Sequence, residues 1–451
     1  MKKRDLLIAV AVIAFGIIYN AIRSGDIDVK FHTSIYDKPW ELLDRNYPRD
    51  FPHEEIRFDR VDKIEIRCPA GDIEVERAAP GNNDGRSSQI RIQPAIRVYH
   101  KNKGKAEEIR QRMKIVTAAE TESPGAGKAG DPGVQPQLEK RLRIEINPGE
   151  DFPLQRARVN FKVVIPETVE LNVRTRYGDI AINGCGKNIS LDSKQGDISV
   201  KQVDTDLKIN HRNGRVTLSQ VKGNIDLSAN YSRIKINNAS ALKLNCSKSN
   251  VFISGVETLT RIEYAAYSSL TMEESSGLIF AGRQTKIKLK KIHRQIRIKN
   301  AHQPIIMSEI SGDIFIDASN CRIDLEQIAS GEVAVKNAYN AVAMDKISAR
   351  NLDVLLSNGD LDLAFDQITG RINIKNKHSK VTLIVPAAVQ PLFNIQASYG
   401  SVLNRTSNQL TVLKERGRVL ANSDDLEGSP GIAISTTYGD ILLENRDRQR
   451  R

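Results

Sequence analysis

The sequence contains little of several residue types on which many folds and sites depend. Phe, Trp and Tyr together make up 5% of its 451 residues, and one tryptophan is present. Hydrophobic residues still reach 40%, so a large core has to be built from aliphatic side chains. The seven histidines stand far apart, without a His-x-x-x-His pair or a Ser/His/Asp order on neighbouring elements. We therefore predict no catalytic residue, no cofactor and no metal site, and a protein that is not an enzyme.

Cysteine is also scarce, and no Cys-x-x-Cys pair occurs. The four cysteines are Cys68, Cys185, Cys246 and Cys321. No two of them fall on matching positions of adjacent repeats, so buried free thiols are the favoured interpretation. One disulfide and a metal site are the alternatives.

One long apolar run is present, from Leu6 to Ile18, with Lys2, Lys3 and Arg4 before it. Thirteen apolar residues are short for a membrane span. No small-residue cleavage site of the usual form follows, so an uncleaved signal anchor is favoured over a cleaved signal peptide. The preceding basic residues place the N-terminus in the cytoplasm. We expect a single-pass protein of the bacterial cell membrane whose bulk is extracytoplasmic, in the periplasm or at the cell surface.

Acidic residues are fewer than basic ones, 55 against 67, which gives a net charge of +12. A basic surface favours acidic partners such as lipid head groups and anionic polysaccharides. The predicted export argues against nucleic acid.

One short pattern returns about every eighteen residues from Gly178 onward. A turn residue is followed by outward, apolar, outward and apolar residues, as in Gly178-Asp179-Ile180-Ala181-Ile182. The turn residues stand at positions 178, 196, 214, 232, 249, 268, 285, 303, 321, 340, 359, 379 and 400. A second alternating pair follows about eleven and thirteen residues after each. The pattern predicts an all-β, β-helix-like parallel β-solenoid of about 12 coils of 17–21 residues, with aliphatic side chains stacked in columns.

The rest of the chain divides around this repeat. We predict a signal anchor or transmembrane helix over residues 1–22, a juxtamembrane linker over 23–57, and the β-solenoid over 166–445. Between linker and solenoid, residues 58–165 predict a small α+β module with one helix at 105–117 and a flexible loop at 120–137. Residues 446–451 are expected to be a basic tail, and residues 431–444 are expected to be the closing coil.

Several segments occur in an order that is typical of a known domain family. They are Lys63-Ile64-Glu65-Ile66 with Ala70-Gly71-Asp72-Ile73-Glu74-Val75, Phe161-Lys162-Val163-Val164-Ile165-Pro166, Tyr177-Gly178-Asp179-Ile180 and Thr437-Tyr438-Gly439-Asp440-Ile441. In this order the chain resembles the bacterial putative-adhesin domain family, exported domains of unknown function, over roughly residues 58–445. The resemblance implies a β-solenoid fold and supplies no active site.

The strongest polar signal is a run of basic residues from 283 to 299 that contains no carboxylate. Its cations are Arg283, Lys286, Lys288, Lys290, Lys291, Arg294, Arg297 and Lys299. Because the intervening apolar residues take the inward positions, these cations should form a girdle around one coil and offer a candidate anionic-ligand surface. The alternative is a solvated face that Glu263, Glu273, Glu274 and Glu309 in adjacent coils neutralise.

Two further side-chain series repeat with the coils. The first series consists of aspartates that follow a glycine: Asp72, Asp179, Asp197, Asp313, Asp360 and Asp440. We favour a structural role for them in turns and in a ladder of charges between coils, over calcium binding or catalysis. The second series consists of tyrosines that precede a turn: Tyr177, Tyr231, Tyr267, Tyr339, Tyr399 and Tyr438. We favour packing at the corners for these rings, over a platform that stacks on sugars.

The sequence therefore predicts a non-enzymatic, adhesin-like binding or spacer module of the cell envelope. Its expected partners are the membrane through the N-terminal helix, and an anionic polysaccharide, lipid head groups or an envelope protein. A self-assembling scaffold with end-to-end contacts is the main alternative, and an enzyme that acts on polysaccharide is another.

Overall fold

The computed structural model describes residues 48–59, 61–78, 89–100, 102–122, 139–147, 157–184, 186–423 and 431–446. The predicted anchor, most of the linker, residues 123–137 of the predicted loop and the tail from 447 lie outside these residues. Within them, no helix has the length and apolar character needed to cross a membrane.

The described residues form 32 strands and one α-helix, α1 (Lys103–Arg112). The strands are β1 (Pro48–Pro52), β2 (Ile56–Asp59), β3 (Lys63–Ala70), β4 (Ile73–Arg77), β5 (Gln89–Tyr99), β6 (Lys114–Glu122), β7 (Glu139–Asn147), β8 (Ala157–Ile165), β9 (Glu170–Tyr177), β10 (Ile180–Asn183), β11 (Lys187–Gln195), β12 (Ile198–Val203), β13 (Leu207–Asn230), β14 (Ser232–Ser247), β15 (Asn250–Val256), β16 (Leu259–Ala266), β17 (Ser269–Ser275), β18 (Gly277–Arg283), β19 (Lys286–Ile292), β20 (Ile296–Ala301), β21 (Ile305–Ile310), β22 (Ile314–Ser319), β23 (Ile323–Ala338), β24 (Val342–Ser357), β25 (Leu361–Lys377), β26 (Val381–Pro386), β27 (Leu392–Ser398), β28 (Val402–Arg405), β29 (Thr411–Glu415), β30 (Arg418–Asn422), β31 (Gly431–Thr437) and β32 (Ile441–Arg446).

Each coil contributes one strand segment to each of two parallel stacks. Sheet 1 takes the segment that follows the turn residue and includes β4, β10, β12, β15, β17, β19, β21, β26, β32 and β28. Sheet 2 takes the other segment and includes β3, β9, β11, β16, β18, β20, β22, β31 and β27. The long strands β13, β14, β23, β24 and β25 run through a corner and supply a segment to both sheets.

The predicted columns of aliphatic side chains are present. Ile180, Ile198, Val216 and Ile234 pair in succession at offsets of 18 residues, and each is 1% exposed or less. Burying one such side chain completely contributes about 1.5–3 kcal/mol, so the columns are the main stabilising feature. The predicted all-β parallel solenoid is confirmed, with about 11 turns.

The corner that leads from sheet 2 into sheet 1 changes its backbone along the stack. In the first regular coils the turn glycine itself bends the chain, with φ of +128° at Gly196 and +133° at Gly214. From Tyr231 onward the residue before the turn position carries the positive φ instead, +52° at Tyr231. Side chains there occupy a conformation that usually favours Gly or Asn.

The strands of residues 58–165 extend both stacks at the N-terminal end. β3 pairs with β9 and β7, and β4 pairs with β10 and β8, all in parallel. β6 and β5 then add in antiparallel orientation to β7 and β8. Helix α1 is shorter than predicted, because residues 114–122 pair with β7 as a strand instead of continuing the helix.

The C-terminal end has a stacking order that differs from the chain order. Strands β31 and β32, from the predicted closing coil, lie between the coil of β25 and β26 and the coil of β27 and β28. The hairpin of β29 and β30 adds to β27 in sheet 2. The last coil in sequence is thus the second to last in space.

Candidate anion-binding groove

The basic run places its eight cations around one coil, as predicted, but on different surfaces. Ile287, Leu289 and Ile298 are buried, and the charged residues between them face outward. The outer face of sheet 1 receives Lys286, Lys288 and Lys290, the outer face of sheet 2 receives Arg297 and Lys299, and the corners receive Arg283, Lys291 and Arg294. The eight residues therefore do not form one continuous patch.

Glutamates of adjacent coils neutralise part of this run. Lys290 lies 3.1 Å from Glu309, and Lys291 lies 3.1 Å from Glu274. The hydrogen bond from Lys291 to Glu274 raises the pKa of that ammonium group. For these two lysines the alternative interpretation applies, in which carboxylates of neighbouring coils neutralise the positive charge of the run.

Arg297 and Lys299, in contrast, line a groove of about 710 Å³ on the outer face of sheet 2. The groove crosses the segments of β18, β20, β22, β23, β24 and β25. Its side chains come from two outward columns, in which each residue is paired with its neighbour in the next coil. One column is Arg297, Phe315, Ala334, Asp353 and Asn373, and the other is Lys299, Asp317, Lys336, Leu355 and Lys375.

The groove combines positive charge with exposed apolar surface. Its cations are Arg297, Lys299, Lys336 and Lys375, and its carboxylates are Asp317 and Asp353, for a net of 4 − 2 = +2. The Arg297 guanidinium lies 5.3 Å from the centre of the Phe315 ring. Leu355 is 46% exposed. This arrangement suits a ligand that carries both negative charge and apolar faces.

Sequence reasoning found two of the groove residues and missed Phe315, Lys336, Leu355 and Lys375. These residues are scattered along the chain and carry no motif. The coil period does contain the signal, because stepping one coil at a time from Lys299 leads to Asp317, Lys336, Leu355 and Lys375 in turn.

The aspartates after turn glycines have a structural role in the solenoid. Asp197 Oδ1 accepts the backbone N–H of Arg215, 2.8 Å away in the next coil. The same contact is made by Asp72 to Asp179, Asp179 to Asp197, Asp313 to Glu332, Asp360 to Lys380 and Asp440 to Ser401. Each carboxylate thus accepts a hydrogen bond from the backbone of the neighbouring coil. This agrees with the favoured interpretation, in which these aspartates have a structural role at the turns.

The corner tyrosines, in contrast, do not pack into the corner as predicted. Tyr231, Tyr267 and Tyr339 are 52%, 54% and 65% exposed, because the left-handed backbone at these positions directs their rings outward. Where the C-terminal coil inserts, Tyr438 stacks between two other rings, 5.1 Å from His378 and 5.0 Å from Tyr399.

Three of the four cysteines are buried free thiols, the interpretation that the sequence favoured over a disulfide or a metal site. Cys68, Cys246 and Cys321 are buried free thiols, and Cys185 lies outside the described residues. Burial raises the pKa of Cys68 to about 12 and that of Cys246 to about 11.

The family comparison covers the part of the chain that contains the groove. Residues 245–444 match the family model described as Toastrack DUF4097. This segment is therefore similar to the Toastrack family. The predicted resemblance to a domain family of unknown function is confirmed over these residues.

The matched segment includes every residue of the groove and most of the inserted C-terminal coil. The coils from 166 to 244 precede it and continue the same two sheets. No curated protein matches this chain. A crystal structure of a putative cell adhesion protein from Clostridium sporogenes aligns over 88% of this chain and 100% of its own, at 11% identity and a TM-score of 0.14.

Proposed function

We propose that this protein is a non-enzymatic binding module of the bacterial cell envelope, and that its groove on sheet 2 holds an anionic polysaccharide. The observation that carries the proposal is the alignment of four cations with Phe315 and Leu355 in one groove along the solenoid. Because successive coils lie about 4.8 Å apart, an extended polymer parallel to the axis meets the same two columns of side chains repeatedly. The rigid stack of coils keeps these side chains in fixed register.

The proposal includes an extracytoplasmic location and a membrane anchor. Its support is in the sequence, where Lys2, Lys3 and Arg4 precede the apolar run from Leu6 to Ile18. A basic flank on the cytoplasmic side orients such a segment with the following chain outside. Fractionation of cells that express the full chain, with alkaline extraction of the membranes, tests this part separately from ligand binding.

The groove is tested by comparing two triple variants on immobilised polygalacturonate at low salt. Arg297→Gln with Lys299→Gln and Lys336→Gln removes groove cations, whereas Lys286→Gln with Lys288→Gln and Lys290→Gln removes the same charge from the opposite face. We expect the groove variant to elute at clearly lower salt than the control variant. Equal elution of the two would show that net charge alone causes retention, and release of soluble fragments from the polymer would indicate a hydrolase.

A self-assembling scaffold is the second candidate, and the C-terminal end of the stack favours it. Within the described residues, β28 pairs only with β32 and β29 only with β30, so each has one open edge. Leu403, Val412 and Leu413 on these strands are about half exposed. Open edges with apolar side chains are sites of strand addition. A concentration-dependent rise in mass, measured by light scattering and abolished by Leu413→Lys, would support this candidate.

A further inference from the structure

A second surface lies outside the Toastrack segment, in the coils that precede it. At the corner where sheet 2 leads into sheet 1, a trough of about 460 Å³ runs parallel to the solenoid axis. Gln195 and Asn213 line it midway, and Tyr177 and Tyr231 stand at its two ends. Gln195 pairs with both Tyr177 and Asn213, and Gly214 pairs with Ser232, so the rings are three coil steps apart, about 14 Å.

One side of the trough carries three cations in a row. Arg176, Lys194 and Arg212 occupy the same position in successive coils, and all three are exposed. Within the described residues, none of them forms an ion pair with a carboxylate. Asp192, which precedes Lys194 by two residues on the same face of β11, makes no ion pair with it. Like charges at this spacing destabilise a sheet.

Elsewhere the solenoid places opposite charges at this spacing. Lys222 lies 2.9 Å from Asp204 in the coil before it, and Lys243 lies 3.0 Å from Glu263 in the coil after it. The column on the other side of the trough's corner is also balanced, because Asp179 and Asp197 precede Arg215 and Arg233 in it. The row of Arg176, Lys194 and Arg212 has no such balance, which points to an anion as its missing partner.

The end of the trough adds an aromatic surface. Lys248 Nζ donates a hydrogen bond to Tyr231 Oη at 2.8 Å and lies 4.8 Å from the centre of that ring. Lys248 belongs to the coil after Tyr231, so the opposite ring face is directed toward Asn213 and the trough. Lys248 and, to a smaller degree, Arg212 lower the pKa of the Tyr231 hydroxyl, which is consistent with a positive potential at this end.

We propose that this trough binds a short stretch of acidic polysaccharide with one sugar acid per coil, carboxylates on Arg176, Lys194 and Arg212 and a sugar face on Tyr231. Charge-assisted hydrogen bonds from Arg and Lys hold carboxylates, the amides of Gln195 and Asn213 bind hydroxyl groups, and the aromatic ring covers an apolar sugar face. Single-stranded nucleic acid fits less well, because its bases stack on successive aromatic side chains, whereas these two rings are separated by three coil steps. The site goes beyond the groove of the proposed function and uses none of its residues.

The test is calorimetric titration of the full chain with a galacturonic acid trimer, an uncharged galactose trimer and a single-stranded oligothymidylate. The trough variants are Lys194→Gln with Arg212→Gln, and Tyr231→Asn, in which Asn suits the left-handed backbone. Their matched controls are Lys222→Gln, an exposed lysine at another corner, and Tyr339→Asn, an exposed left-handed tyrosine farther along the stack. We expect the acidic trimer alone to bind, with a tenfold or greater rise in Kd for each trough variant and less than a twofold change for the controls.

Several results would overturn this inference. They are no binding of the acidic trimer, unchanged binding by the trough variants, equal losses in the controls, and equal or tighter binding of the oligothymidylate or the uncharged trimer. Arg297→Gln with Lys299→Gln separates this site from the groove. If that variant loses trimer binding while the trough variants keep it, the trough is not the site and the proposed function of the groove remains.

Discussion

His211 is the buried ionisable group whose titration should be most visible in stability. Its side chain points into the solenoid beside Ser193, its partner in the preceding coil, and is 3% exposed. Neither of its ring nitrogens has a hydrogen-bonding partner among the described residues. Burial lowers the pKa of His211 from 6.5 to about 4, and the nearby Asp197 carboxylate offsets only part of this effect.

The direction of the pH effect follows from the lowered pKa. As pH falls below about 6.5 the unfolded chain binds a proton at His211, whereas the folded chain does so only near pH 4, so stability falls between these values and the loss is complete below them. A difference of 2.5 pKa units, 6.5 − 4, corresponds to about 3 kcal/mol in total. About 2 kcal/mol of this is lost between pH 7 and pH 5.

The assay is urea unfolding at pH 7 and pH 5, followed by far-ultraviolet circular dichroism. Because solenoids unfold in groups of coils, hydrogen exchange of residues 198–230 should accompany it. His211→Ala loses packing at both pH values, so the change in its stability between them isolates the titration. We expect this change to be about 2 kcal/mol smaller than in the natural chain, and His293→Ala, at an exposed position, to behave like the natural chain. An equal pH effect in the His211→Ala variant and the natural chain would refute the reasoning.

Three further predictions concern the corners and the thiols. Gly196→Ala should lower the free energy of unfolding in urea by about 1–3 kcal/mol, because an added Cβ would lie 2.1 Å from the Gly178 carbonyl oxygen at a φ of +128°. Gly331→Ala is the control and should lower it far less, because the nearest contact of its Cβ is the Asp313 side chain at 3.1 Å. Tyr438→Asn introduces a residue that tolerates the left-handed backbone but removes two stacked ring pairs, each of which contributes about 0.5–1.5 kcal/mol. Hydrogen exchange of residues 431–446 should therefore accelerate in this variant, and Tyr339→Asn is the control. The folded Cys185→Ser variant should resist a thiol reagent at pH 8, because the raised pKa values of Cys68 and Cys246 keep these buried thiols protonated. Unfolding in urea should restore their reactivity. Rapid labelling without urea would contradict this prediction.

The sequence predicts the regular part of the fold well, because one physical rule repeats in every coil. Alternation of inward and outward residues at a fixed period allowed Ile198, Val216 and Ile234 to be assigned to one buried column, and they pair as expected. The two ends were less predictable. Residues 114–117 have apolar spacing that suits a helix, but pairing with β7 decides their conformation.

The place of the C-terminal coil could not be read from local pattern either. Residues 431–446 carry the same alternation as every other coil, so the pattern assigns them to a coil without saying which neighbours they take. Tyr438 consequently meets His378 and Tyr399, which precede it by 60 and 39 residues, 438 − 378 and 438 − 399. Long-range insertion of this kind depends on which edges are open when the chain end arrives, and that is a property of the assembled stack.

The candidate surfaces show why a charge run is a poor guide to a binding site in a solenoid. One coil takes about eighteen residues to go round the axis, so the seventeen residues from 283 to 299 are spread over both sheets and both corners. A ligand that lies along the axis touches only one or two of them. Residues separated by one coil, such as Lys299, Asp317 and Lys336, instead lie side by side about 4.8 Å apart. The groove and the trough can both be found when the sequence is compared in steps of one coil. Mutations of residues that stack in one column should therefore weaken polymer binding far more than the same number of mutations within one consecutive basic run.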